Sequence, residues 1–170
     1  MSEIVPWRDG VLVESPQLVT WIEEGAGLAR IVMHGAGHEV VDAVLDDDSF
    51  FIAVERKPYW TWKGKSFIHR VTRIGDEPPV EIAGPFRDIS ALATFGPNVY
   101  FMLRATGEVW SVPKAGGNAQ VVINGPRETT CDVTHGLWAD ERGLFWSRGE
   151  PYFSAARTLY FLPWSATEPR

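Results

Sequence analysis

Asp42, Ser90 and His135 each stand two residues ahead of an apolar residue, Val44, Leu92 and Leu137, and Gly10 stands the same distance ahead of Leu12. Each opens a short strand-like stretch: Gly10-Val11-Leu12-Val13, Asp42-Ala43-Val44-Leu45, Ser90-Ala91-Leu92-Ala93 and His135-Gly136-Leu137-Trp138. An acid, a hydroxyl and an imidazole around one point are the parts of a nucleophilic hydrolase. The polar lining of a wet channel uses the same residue types, so both readings stay open and no catalytic residue is assigned. A metal site needs several converging oxygen or nitrogen ligands. Only Asp42 and His135 fit, with Arg8, Asp88 and Asp132 close by in sequence. No metal and no cofactor is expected. His34, His38 and His69 are scattered and read as surface or packing residues. Cys131 is the only cysteine, which excludes an internal disulfide and a cysteine-rich zinc site. The acidic run Asp46-Asp47-Asp48 lies between apolar stretches and reads as a solvated turn.

Two further stretches could bind rather than catalyse. One reads Arg56-Lys57-Pro58-Tyr59-Trp60-Thr61-Trp62-Lys63-Gly64-Lys65, the other Arg148-Gly149-Glu150-Pro151-Tyr152-Phe153-Ser154-Ala155-Ala156-Arg157. Both carry Pro-Tyr followed by another ring, flanked by Arg or Lys. The corresponding stretches Ile22 to Gly27 and Leu103 to Glu108 are shorter. Aromatic and arginine side chains supply large contact area at low entropy cost. Tyr59, Trp60, Trp62, Arg148, Tyr152 and Phe153 are therefore candidate partner-binding residues, with Asp42, Ser90 and His135 lining the same end. The alternative is that these rings fold back as local core. Trp110, Trp138 and Trp146 lie inside strand-like stretches and are expected in the core.

The elements that must position these residues repeat. Leu28-Ala29-Arg30-Ile31-Val32-Met33-His34-Gly35, Ile68-His69-Arg70-Val71-Thr72-Arg73-Ile74-Gly75, Val109-Trp110-Ser111-Val112-Pro113-Lys114-Ala115-Gly116 and Leu159-Tyr160-Phe161-Leu162-Pro163-Trp164-Ser165-Ala166 begin 40, 41 and 50 residues apart. Upstream of each lies an aromatic or β-branched stretch: Leu18-Val19-Thr20, Phe50-Phe51-Ile52, Val99-Tyr100-Phe101 and Leu144-Phe145-Trp146. Gly, Pro, Asn and Asp mark the turns between them. Glu39-Val40-Val41, Val80-Glu81-Ile82 and Gln120-Val121-Val122-Ile123 close the first three units. Four strands in each of several stacked units is the pattern of a β-propeller. The expected fold is all-β, a single domain of four four-stranded blades at about 8–41, 42–83, 88–124 and 132–170. The last unit lacks a fourth stretch, and Glu3-Ile4-Val5 reads like Glu39-Val40-Val41. Residues 2–6 are therefore expected to complete the last blade and close the ring, because bare edges invite aggregation. The alternatives are half of an eight-bladed ring shared by two chains and a part of a longer propeller.

One unit also resembles a known repeat. Val99-Tyr100-Phe101 followed by Gly107-Glu108-Val109-Trp110-Ser111-Val112-Pro113-Lys114-Ala115-Gly116-Gly117 is similar to the blade repeat of bacterial propellers related to the YWTD and NHL propellers. The resemblance is specific in residues 99–122 and implies a fold. Propellers of this kind include gluconolactonases, virginiamycin lyase and many binding modules, so it implies no single activity.

Composition narrows the partners. The chain has 170 residues, 45% of them hydrophobic, and no apolar run long enough to span a membrane. Its net charge is −6 with the charges spread out, a poor match for nucleic acid, which needs a cationic stripe. A basic protein partner suits the acidic surface better. Without a basic region and apolar core at residues 1–8, the expectation is a cytoplasmic protein, monomer or homodimer. The sequence points to a non-catalytic module that binds a protein or peptide through the channel-mouth face. Its rivals are a small-molecule lyase or hydrolase acting at the channel and a sugar-binding lectin.

Overall fold

The computed structural model describes residues 3–7, 10–24, 29–34, 38–56, 64–73, 77–125, 133–149 and 157–166. They form fifteen strands and one 3-10 turn, Trp164–Ala166. The first sheet holds β1 (Glu3–Trp7), β2 (Gly10–Ser15), β3 (Leu18–Glu23) and β4 (Ala29–His34). The second holds β5 (Glu39–Leu45), β6 (Ser49–Arg56), β7 (Lys65–Thr72) and β8 (Val80–Phe86). The third holds β9 (Ile89–Phe95), β10 (Asn98–Leu103), β11 (Val109–Pro113) and β12 (Gln120–Ile123). The fourth holds β13 (Val133–Ala139), β14 (Gly143–Gly149) and β15 (Arg157–Pro163). Every sheet is an antiparallel meander in chain order.

Turn chemistry sets the hairpins. Gly96, at φ +54°, is the first of two residues between the paired Phe95 and Asn98. Glycine adopts that positive φ without steric cost, as a tight hairpin requires. Between the second and third sheets the chain turns at Asp88, also at positive φ (62°).

The sheets stack in chain order, and the cores lie between them. Leu12, Val19, Trp21 and Val32 of the first sheet pack on Phe50, Ile52 and Val71 of the second. The other face of the second sheet, with Phe51, Ala53 and Ile68, packs on Leu92, Val99, Phe101 and Val112 of the third. Ala91, Ala93, Tyr100 and Met102 of the third face Leu137 and Leu144 of the fourth. Burying each of Phe50, Phe51 and Phe101 contributes about 1.5–3 kcal/mol. Side-chain clasps reinforce the stacking. Lys114 is ion-paired with Asp46 across the second junction. At the third, Trp164 stacks on Phe95 with centroids 5.2 Å apart. Among the described residues no core joins the fourth sheet to the first.

Strand allocation corrects the sequence reading at both ends. β1 pairs with β2, Glu3 opposite Glu14 through Trp7 opposite Gly10, so it belongs to the first sheet and does not complete the last. The expected closing strand of the first unit, Glu39-Val40-Val41, runs straight on into Asp42–Leu45 as β5, the first strand of the second sheet. Nothing between them breaks a strand; a bulge between Val40 and Asp42 absorbs the change of phase. The fourth sheet has three strands among the described residues. Trp138 is a second correction: it is 53% exposed rather than core.

Candidate binding surface

In a meander the connection between strands two and three leaves from the same end as the exit to the next sheet. The β6–β7 and β14–β15 connections carry the two aromatic stretches, and they belong to the second and fourth sheets with the third between them. Tyr59, Trp60, Trp62, Tyr152 and Phe153 lie outside the described residues. Of Arg148 and His135 only the backbone is described: Arg148 pairs with Thr134 and Thr158, and His135 lies in β13 beside a register shift.

The roots of the β6–β7 connection are firmly set. Arg56 ends β6 with its guanidinium 4.1 Å above the Phe67 ring and 3.3 Å from a Glu81 carboxylate oxygen. Gly64 sits so close to Glu55 that a Cβ there would overlap that side chain. Beside this root is a pocket of about 320 Å³ lined by Gly64, Lys65, Pro85, Phe86 and Arg87. The Phe86 ring is fixed by Phe101 at 4.6 Å and Trp110 at 5.8 Å. Lys65 and Arg87 are exposed and make no ion pair among the described residues. The result is an apolar floor with two exposed cations at its rim. Residues 84–87 fall between the second and third units of the sequence reading and were given no role there; Pro-Phe-Arg directly after a closing strand was the available signal.

The residues proposed for the channel have structural bonds. One Asp42 carboxylate oxygen accepts from its neighbour Ala43 N–H at 3.0 Å, the other from Leu92 N–H at 2.6 Å. Asp42 thus ties β5 to β9 across the sheet junction. The Ser90 hydroxyl donates to the Met102 carbonyl at 3.4 Å. Gly10 is not their counterpart, since it opens the second strand of its sheet whereas β5, β9 and β13 are first strands.

Two histidines lie near Arg56. His69 is buried in β7, on the face with Phe67 and Val71, and neither ring nitrogen has a partner. Its pKa is lowered, chiefly by burial, with Arg56 and His38 lowering it further and Glu81 opposing. His38 is lowered by burial and by Arg56. Among the described residues no three His, Cys, Asp or Glu stand close enough to hold a metal ion. No helix among them is long and apolar enough to cross a membrane.

No protein family and no curated protein sequence matches the chain. Solved structures match its fold. The nidogen/laminin complex, whose matching chain is a YWTD β-propeller, superposes with a TM-score of 0.71 at 12% identity, over 96% of this chain and 60% of that one. A luciferin-regenerating enzyme superposes at 0.59 with 10% identity, over 85% of this chain and 54% of that one. A complex of S. cerevisiae Dbp5 with Nup159 and Gle1 superposes at 0.54 with 10% identity, over 95% and 44%. The chain thus spans between 44% and 60% of the solved proteins it resembles. At these identities the likeness establishes a β-propeller-like fold of antiparallel sheets.

Proposed function

We propose that the chain is a binding module that recognises a protein or peptide through the end bearing the β6–β7 and β14–β15 connections. The observation that carries this reading is the pocket at the foot of the first connection, where the exposed Lys65 and Arg87 flank the Pro85–Phe86 floor. Such a site suits an apolar side chain next to a carboxylate. The rings of Tyr59, Trp60, Trp62, Tyr152 and Phe153, with Arg148, extend the contact as anchors. A propeller-like neighbour solved in a nidogen/laminin complex supports a protein partner. An enzyme also shares the fold, so the fold alone does not decide. What favours binding is that the Asp42 carboxylate is already held by two backbone N–H groups, one from each of two sheets.

The test is a displayed peptide library panned against the wild-type chain and the Trp60→Ala/Tyr152→Ala variant. Wild type enriches peptides that combine apolar and acidic residues. Loss of anchor rings costs about 2 kcal/mol or more, roughly 30-fold in affinity. The variant therefore loses the enriched peptides while its thermal melt stays within about 1–2 °C, as for exposed substitutions. Unfolding of the variant would assign the rings to the core.

A further inference from the structure

The two end sheets each turn one apolar face outward. Residues paired across antiparallel strands share a face, and alternate residues along a strand share it too. In the first sheet this puts Ile4, Val13, Thr20 and Ile31 in one row and Pro6, Val11, Ile22 and Ala29 in the next, all on the side away from the second sheet. None of these residues is charged, and Ile4 and Ile31 are 67% and 50% exposed. In the fourth sheet the row Trp138, Phe145, Phe161 lies on the side away from the third, with Leu159 beside it. Phe145 and Phe161 stack at 4.6 Å, and Leu159 is 66% exposed. The Trp138 ring covers Gly136, where any Cβ would strike it.

These faces are the two halves of one kind of interface. At each internal junction the side of one sheet that faces down the chain packs on the up-chain side of the next. The first sheet's bare side is an up-chain side, and the fourth sheet's is a down-chain side. We propose that a second copy of this chain covers both, its fourth sheet stacking on the first sheet of its partner and the reverse, so that two copies close a ring of eight sheets. The occupant follows from continuity with the junctions already present: each copy carries the complementary half of the contact the other lacks. A twofold axis satisfies both contacts at once. Broad, largely apolar faces are what a permanent interface buries and what a lone molecule rarely leaves in water; the guanidinium over the outer rows, Arg142 at 5.1 Å from the Phe145 ring, lies just ahead of β14.

Light scattering after gel filtration tests this on the wild-type chain. The expected mass is twice 19.0 kDa and constant across a concentration series. A mass of 19.0 kDa at every concentration overturns the proposal, and a mass that keeps growing with concentration overturns the closed pair. Ile31→Asp and Phe161→Asp, each on one face, should each reduce the mass to that of one chain while the strand signal in circular dichroism persists. A pair that survives either substitution overturns the head-to-tail arrangement. If a variant fails to fold, the wild-type mass still decides.

Discussion

His69 shows how a single side chain sets conditions on the fold. It lies in the row Ala43, Ile52, His69, Glu81 and packs at the junction of the first two sheets with no partner on either nitrogen. Burial favours the neutral ring, so its folded pKa lies below the ordinary 6.5. The unfolded chain therefore takes up this proton first as pH falls. The contribution of His69 to stability is complete above about 6.5 and is lost as pH drops from there toward the folded pKa. His38, shifted the same way, adds to the trend. His69→Phe keeps a ring in the site and removes the proton. Its melting temperature should fall less than that of wild type between about pH 7.5 and pH 5.5, where an ordinary imidazole titrates. Equal slopes for the two proteins would show that His69 does not couple to folding. Asp42 makes a related point about reading sequence. Its place at the head of an apolar stretch was legible. Its bond to Leu92 N–H was not, because that partner lies fifty residues along the chain in another sheet.

At the scale of elements, the apolar stretches and the turns between them were readable because short alternating runs bounded by Gly, Pro, Asn and Asp specify strands locally. Which sheet a strand joins is a different matter. Glu39 to Leu45 contains no breaker, so the expected boundary at Val41 had nothing to enforce it; Arg87 and Asp88, the latter at φ 62°, do separate β8 from β9. With that strand assigned to the second sheet, β1 supplies the fourth strand of the first. Trp138 was misread for a comparable reason. Blades buried on both faces are apolar on both, so the pattern gives no sign of which face lacks a neighbour. The placement of β1 has a direct consequence. Removing residues 1–7 exposes the edge of β2 and takes Ile4 and Pro6 from the outer rows. Hydrogen exchange should then speed up in Gly10–Ser15 and spread through the first sheet, while Arg157–Pro163 keeps its protection. Loss of protection in β15 instead would return β1 to the last sheet.

At the scale of the whole molecule, three stacked junctions leave two apolar ends, and stability depends on what happens to them. A lone chain would melt at a temperature independent of its concentration. A chain that buries its end sheets only against a second copy is linked to that copy by mass action. For a chain of this length the unfolding enthalpy is on the order of 100 kcal/mol. A hundredfold rise in concentration then adds about 2.7 kcal/mol to the stability of a pair, or roughly 4 °C in melting temperature. Phe161→Asp, which places a charge in the Trp138–Phe145–Phe161 row, should abolish that dependence and melt at the low-concentration limit of the wild type or below. The Trp60→Ala/Tyr152→Ala variant should keep it, because residues 60 and 152 belong to the β6–β7 and β14–β15 connections rather than to the paired rows of the end sheets. Scanning calorimetry of the three proteins over such a series separates assembly from binding: a wild-type melting temperature that stays constant removes the pairing of copies, whereas a dependence lost in the double variant would mean that the aromatic connections themselves hold the copies together.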